Sequence, residues 1–250
     1  GGGVFWENLF TTAPDGYMTP ALERGYRVIQ VRWSAEWDAG TAGPLALACR
    51  SASLIKAIYD TATLYTPGTP YVVMGHSAGA SQVCYSLCHY GAGDWIDLVE
   101  LTSGPIHARL DYGDFGTGDP TWASIGPAFC TSGSNIIYNA TSYSQIDPSW
   151  GTRTYLESKA CNGGIDNPGN RDSILRIDST LSFPQTLVNG VYGDNDVTSG
   201  PPMGRYWLSL VTSAKTETIT TGNLGHGQVP DSVIGNAIID ADLAAATFRH

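Results

Sequence analysis

Lysine is scarce in this chain: Lys56, Lys159 and Lys215 are the only three among 250 residues. Charged residues of all kinds reach 14%, and 13 basic against 23 acidic side chains leave a net charge of −10. No basic stripe exists to neutralise phosphates, which argues against nucleic acid as a partner. The acidity itself serves solubility. No apolar run approaches the ~20 residues that cross a bilayer, so no transmembrane segment is expected. No signal peptide is visible and no Met opens the chain, which starts on Gly1-Gly2-Gly3. That start is expected of a processed or trimmed product, and an export signal could have been lost with the missing part. Few lysines with plentiful Gly, Ser, Thr, Tyr and Trp point to a secreted or periplasmic protein. No internal repeat and no linker divides the chain, and its length suits one domain, 1–250, with its own core.

Cysteines are few and odd in number: Cys49, Cys84, Cys88, Cys130 and Cys161. At least one thiol is then free or paired between chains. Cys130 and Cys161 flank a loop-rich stretch and are expected to pair if the compartment is oxidising. Cys49 could bridge to Cys84 or Cys88, or all three could be small buried apolar side chains.

Strand and helix patterns alternate through the first hundred residues. Pro20 to Gly25 suits a short helix, and Tyr26 to Trp33 reads as a strand. Pro44 opens a helix to about Tyr65, with Leu45, Leu47, Leu54, Ile55, Ile58 and Leu64 inward. Tyr71 to Met74 is an apolar strand, Ala80 to Tyr90 a helix, and Asp97 to Thr102 a further strand. The rhythm stops between about 103 and 184, where Gly, Pro, Asp, Asn and Ser dominate. So long an irregular stretch inside a compact domain reads as a functional insertion, or cap. Short helices are expected inside it at Pro120 to Phe129 and Gly151 to Ala160. The rhythm resumes with a strand to Tyr192, a helix from Pro202 to Ser213 and a strand from Lys215 to Ile219. A last helix runs from Pro230 to about Phe248, with Val233, Ile234, Ala237, Ile238 and Leu243 inward. The alternation predicts an α/β fold, a mostly parallel sheet with helices on both faces.

Between the Tyr71 strand and its helix lies Gly75-His76-Ser77-Ala78-Gly79. Strand, G-x-S-x-G, helix is the setting of a nucleophilic serine on a sharp turn. Both glycines are expected there because a Cβ at either would collide with neighbouring backbone. The Ala78 N–H, opening the helix, is placed to meet a developing oxyanion. A serine hydroxyl needs a base, and the base needs an orienting carboxylate. Of five histidines, His226 is flanked by glycines in the loop after the last strand and is the expected base. His76 is expected to point away from Ser77 and is counted with the substrate-binding residues. The acid is expected after the strand ending at Tyr192. Asp196 is preferred there, while Asp194 is expected to hold the turn by accepting backbone N–H groups.

These motifs, in the order Ser77, Asp196, His226, resemble those of the α/β-hydrolase fold family, serine esterases in particular. The match spans most of the chain outside the cap. The resemblance implies ester hydrolysis through an acyl-enzyme, with no metal or organic cofactor. It also implies a second oxyanion donor from a glycine-rich loop, here Gly2 or Gly3; the family's strands before that loop are not in the sequence. A peptidase, amidase or acyltransferase would use the same triad, and a binding protein of this fold would not need it. Trp33 and Trp37 follow the strand before the turn, and Phe5 and Trp6 follow the glycine loop. They could form an aromatic wall for a small-molecule or polymeric ester, or simply pack as core and rim. Asp111, Asp114 and Asp119 cluster, and oxygen ligands so close could hold calcium, but the spacing is not that of an EF-hand and turns alone explain them. Asn139-Ala140-Thr141 fits a glycosylation acceptor, relevant in a eukaryotic secretory source.

Overall fold

The computed structural model describes residues 16, 18–110, 147–151 and 171–250. In chain order the described elements are α1 (Met18–Glu23), α2 (Pro44–Leu47), α3 (Cys49–Asp60), β1 (Val72–His76), α4 (Ala78–Tyr90) and β2 (Leu98–Thr102). They continue with β3 (Leu187–Tyr192), α5 (Gly200–Leu210), β4 (Lys215–Ile219) and α6 (Val233–Ala245). The strands form one sheet in the order β1-β2-β3-β4, every neighbouring pair parallel. Parallel neighbours require helical crossovers, which cover both faces of the sheet. Every residue of β2 is accordingly buried.

The two faces are built from alternate positions of each strand. Register aligns Val73 with Val99 and Val99 with Val188, and these side chains join the main core beneath the helices. Ala80, Val83, Cys84, Leu87 and Cys88 of α4 and Met203, Trp207 and Leu208 of α5 fill that layer. Burying one such large side chain contributes roughly 1.5–3 kcal/mol. The opposite face is thinner. Val72 and Met74 meet Ala21 of α1, Ile239 and Leu243 of α6, and the side chains of Tyr26 and Val28. Arg24 forks onto Asp240 at 2.9 and 2.8 Å, and the Tyr26 hydroxyl donates to the Leu243 carbonyl, tying α1 to α6. Ser232 caps α6 by accepting the Gly235 N–H at 3.0 Å. At the far edge, Lys215 Nζ donates to the carbonyls of Leu208 and Ser209 at the end of α5, and Arg205 pairs with Glu217.

Several expectations give way here. The pattern at 26–33 predicts a strand, yet none forms. Its alternation is real, with Tyr26, Val28 and Gln30 partly buried and Arg27, Ile29 and Val31 exposed. Side-chain packing on one face accounts for the alternation, with no strand among the described residues there. The helix expected over 44–65 divides at Ala48 and ends at Asp60. There Thr61 turns extended and its hydroxyl donates to the Ala57 carbonyl, which leaves Leu64 outside the helix and 39% exposed. In α6 the inward stripe is Gly235, Ile239 and Leu243, while Val233 and Ile234 are exposed. Helical spacing of four sets that stripe, and an apolar sequence at the first turn does not override it. Cys49, Cys84 and Cys88 are all free thiols, so no bridge joins α3 to α4; the latter two are buried.

Residues 111–146 and 152–170 of the expected cap, with its two short helices, Cys130 and Cys161, the three aspartates and Asn139, lie outside the described residues. A 3-10 turn at Asp147–Trp150 is described, where the Gly43 N–H donates to the Ser149 carbonyl at 2.7 Å and Trp150 Nε1 donates to Asp172. No helix among the described residues is long and apolar enough to cross a membrane.

Candidate active site

Parallel strands in register bring their carboxyl ends to one edge of the sheet. His76 pairs with Thr102, Thr102 with Val191, and Tyr192 with Ile219. The loop leaving each strand therefore opens on the same edge. Ser77 follows β1, Ser103 follows β2, Asp194 and Asp196 follow β3, and His226 follows β4.

Ser77 sits at the turn with φ 54° and ψ −116°. A non-glycine residue with positive φ is strained, and here the surroundings impose it. The Ser77 N–H extends the ladder by donating to the Thr102 carbonyl at 2.9 Å, while the next residue already begins α4. The chain can reverse so tightly only because Gly75 lacks a Cβ. One built there would lie 2.6 Å from the carbonyl carbon and oxygen of Gly79. Gly79 departs from the expectation for it, since a Cβ at that position meets nothing within 4 Å. One glycine, not two, is required by space. Ala78 is buried as the first residue of the helix, so its N–H has no acceptor within the helix.

His226 Nε2 lies 2.9 Å from Ser77 Oγ, and Nδ1 lies 3.0 Å from Asp196 Oδ2. The histidine side chain is 31% exposed and the carboxylate is fully buried. Burial pushes the Asp196 carboxyl up, but bonds from His226 and Thr198 together outweigh it and hold the group below the usual carboxylate range. Asp194 does something else. It accepts the backbone N–H groups of Asn223 and Leu224 at 3.0 and 2.8 Å, clamping the start of the histidine loop. The geometry therefore separates the two candidate acids: only Asp196 reaches the imidazole among the bonds of either.

Two residues of the site carry no signal in the sequence motifs. Thr198 donates both its N–H and its hydroxyl to Asp196 Oδ1, at 3.0 and 2.7 Å, and its oxygen lies 2.8 Å from His226 Nδ1. Ser103, itself at φ 51°, donates its hydroxyl to the His226 carbonyl at 3.0 Å. A hydroxyl two residues beyond a candidate acid is a local clue, whereas Ser103 is marked only by following a strand. Gly200 lets this corner close. A Cβ there would sit 2.1 Å from the Ser103 carbonyl oxygen and 3.4 Å from the His226 ring.

The remaining candidates are placed as follows. The His76 ring lies beside that of His226, centroids 4.9 Å apart, with Nδ1 3.0 Å from Thr102 Oγ1. Desolvation, and then the neighbouring imidazole, push His76 down to about 3, so it stays neutral beside the base. Trp33 is partly buried and donates Nε1 to Gln82 at 2.9 Å. Trp37 is not on a wall facing solvent. It is 1% exposed, packed within the core against Tyr85 and His107, because its loop folds back over α4. Gly2, Gly3, Phe5 and Trp6 lie outside the described residues. Among the described residues, no group of three or more His, Cys, Asp or Glu is arranged to hold a metal ion.

An imidazole nitrogen 2.9 Å from a hydroxyl can take its proton, and a buried carboxylate on the far nitrogen can stabilise the cation that results. An unpaired N–H at the adjacent helix start can receive negative charge.

No known family matches the sequence, and no curated protein matches it. Solved structures give loose overlaps. An esterase from Rhodococcus sp. ECU1013 is 12% identical over 88% of this chain and 77% of its own, with a TM-score of 0.41. A bromoperoxidase from Bacillus anthracis is 14% identical over 94% and 86%, at 0.42. A monoacylglycerol lipase from Paleococcus ferrophilus is 15% identical over 82% and 77%, also at 0.42. Overlaps this loose carry no argument about the activity of this chain, which rests on its own geometry.

Proposed function

We propose that this chain is a serine hydrolase of the α/β-hydrolase family that cleaves carboxylic esters through an acyl-enzyme. The observation that carries the reading is the continuous line Ser77 Oγ to His226 Nε2 at 2.9 Å and His226 Nδ1 to Asp196 Oδ2 at 3.0 Å. In this reading Ser77 Oγ attacks the ester carbonyl carbon and its proton passes to His226 Nε2. The carbonyl oxygen gains the negative charge and meets the Ala78 N–H, with a second donor proposed from Gly2 or Gly3. Collapse breaks the bond to the alcohol oxygen, which leaves with the proton held by His226. A water then attacks the acyl carbon, giving its proton to His226, and the acid departs as Ser77 recovers its hydrogen. Asp196 stays ionised throughout and stabilises the imidazolium. The strained turn at Ser77 supports the role, since strain of this kind persists where surroundings enforce a functional geometry. Trp33 and His76 are proposed to line the approach to the serine, and a secreted or periplasmic setting remains the proposal from composition.

The test is turnover of p-nitrophenyl esters from acetyl to long acyl chains, with p-nitroanilides in parallel, together with labelling by a fluorophosphonate. Ester turnover and a label on Ser77 are expected. Anilide cleavage in preference to esters would move the reading to an amidase. Neither turnover nor label would remove catalysis from it altogether.

A further inference from the structure

Thr198 occupies a place that ester hydrolysis as outlined does not use. A threonine hydroxyl has one proton and two lone pairs. Its oxygen has three neighbours here: Asp196 Oδ1 at 2.7 Å, His226 Nδ1 at 2.8 Å and the Gly200 N–H at 3.2 Å. The amide of Gly200 can only donate, and the carboxylate can only accept. The proton therefore goes to Asp196, and a lone pair is left for Nδ1. That contact is favourable only when Nδ1 carries the ring hydrogen. The opposite assignment, with the hydroxyl donating to a bare Nδ1, sets a nitrogen lone pair against Asp196 Oδ2 at 3.0 Å with no hydrogen between them.

We propose that Thr198 is a positioning residue for His226: with its own proton committed to Asp196, its oxygen gives the imidazole Nδ1–H a second acceptor and so fixes the tautomer and tilt of the ring. The inference rests on the serine-hydrolase reading for its catalytic consequence, though not for its structural content. Threonine and carboxylate act as one unit. Asp196 directs the threonine proton, and the threonine in return holds Oδ1 by two bonds, so Oδ2 keeps its aim at the ring. Nε2 is then left bare toward Ser77, as a base requires. Once the carboxylate is removed, the hydroxyl is free to turn and no longer selects a tautomer. The effects of the two residues are thereby coupled.

The experiment compares the native chain with Thr198→Val, Asp196→Ala, the double variant and Thr198→Ser. Two readouts are taken: kcat and KM on p-nitrophenyl acetate, and the His226 Nδ1 proton by NMR of histidine-labelled protein. Thr198→Val is expected to lower kcat/KM about 10-fold in the native background, mainly through kcat, and less than about 3-fold beside Asp196→Ala. Thr198→Ser keeps the hydroxyl and is expected within about 3-fold of native. The Nδ1 proton is expected to exchange faster in Thr198→Val and at the native rate in Thr198→Ser. A role confined to stabilising the loop would give the same factor in both backgrounds and leave the Nδ1 proton unmoved, and either result overturns the proposal. Should Asp196→Ala not fold, Asp196→Asn serves as the second background. If the native chain turns over no ester while the Nδ1 proton still responds to Thr198→Val, the hydrolase reading fails and the positioning of the ring by Thr198 stands.

Discussion

Asp196 and Glu100 are both buried carboxyl groups, 0% and 1% exposed, and their surroundings treat them oppositely. Asp196, beyond the end of β3, accepts two hydrogen bonds from Thr198 and faces His226 as well. Its ionised form is favoured. Glu100 stands mid-strand in β2, level with Met74 and Asn189 across the sheet, and neither of its oxygens has a hydrogen-bond partner. Burial pushes it well above the usual carboxylate range, and Asp242 on α6 adds to that push. Asn189 and Asp242 lie near enough to influence its charge without forming a bond that satisfies it. The strand ends thus favour a charged carboxylate, while the middle of the sheet favours the neutral form of its acid. Environment, not residue type, divides the two roles.

The largest effect expected from breaking that contrast is at the strand ends. Ser77→Ala should lower kcat/KM by about 10⁴–10⁶ while leaving the melting temperature near native, read by ester turnover and thermal unfolding. Activity retained in that variant would place the chemistry elsewhere. Asp196→Asn should cost about 10³–10⁴ in kcat, because an amide donates to the ring and favours the wrong tautomer. Asp194→Asn should act mainly on stability, since Asp194 bonds backbone amides of Asn223 and Leu224 rather than the imidazole. The reverse ranking in kcat would exchange the roles of the two aspartates.

The turn offers a sharper comparison between glycines four residues apart. Gly75→Ala drives a Cβ into backbone at 2.6 Å, and overpacking of that kind costs about 1–3 kcal/mol. Gly79→Ala finds open space and should be neutral or stabilising by up to about 1 kcal/mol, as for glycine in a helix. Denaturant midpoints with unchanged slope would read both. Equal losses at the two positions would mean that the turn is tight on both sides.

The smallest effect is expected mid-sheet. Glu100→Gln should leave kcat/KM within about 3-fold of native, because its place is remote from the chemistry in role. Its signature is in pH. Glu100 has a folded value raised above its unfolded one, so the stability it allows is present below the ordinary glutamate range and is lost as pH rises toward the folded value. Asp196, lowered in the folded state, contributes in the other direction, with stability present above the ordinary aspartate range and lost as pH falls. Glu100→Gln should flatten the alkaline side of the stability profile, by about 1 kcal/mol or ~2–4 °C in a chain of this size, and leave the acid side alone. A flattened acid side instead would place the neutral acid wrongly.

Much of this was legible in the chain. The apolar run before Ser77, the order of serine, aspartate and histidine, and strand-helix alternation all follow from local pattern, and the parallel sheet repeats them. What the pattern could not carry depends on distant partners. The segment 26–33 alternates as a strand does, but alternation reports side-chain packing and not hydrogen bonding. Trp37 reads from its place in the chain as wall or as core and rim packing alike, and only its contacts with Tyr85 and His107 make it core. Gly79 shares a motif with Gly75, and which of them is crowded depends on where the helix backbone passes. Thr198 has no periodicity to betray it, because its importance lies in three neighbours set at hydrogen-bond distance by loops that follow two different strands.

β4 carries one further consequence. A free strand edge invites another chain to add to it, and proteins blunt such edges with charge and with short strands. β4 is five residues long, mostly exposed, and alternates Lys215, Thr216, Glu217 and Thr218 before Ile219. Its lysine is turned back to the carbonyls ending α5, and its glutamate is held by Arg205. An incoming strand would have to displace both attachments and find little apolar surface in return. In a chain with so few lysines, one of them fastens this outer strand to the end of α5.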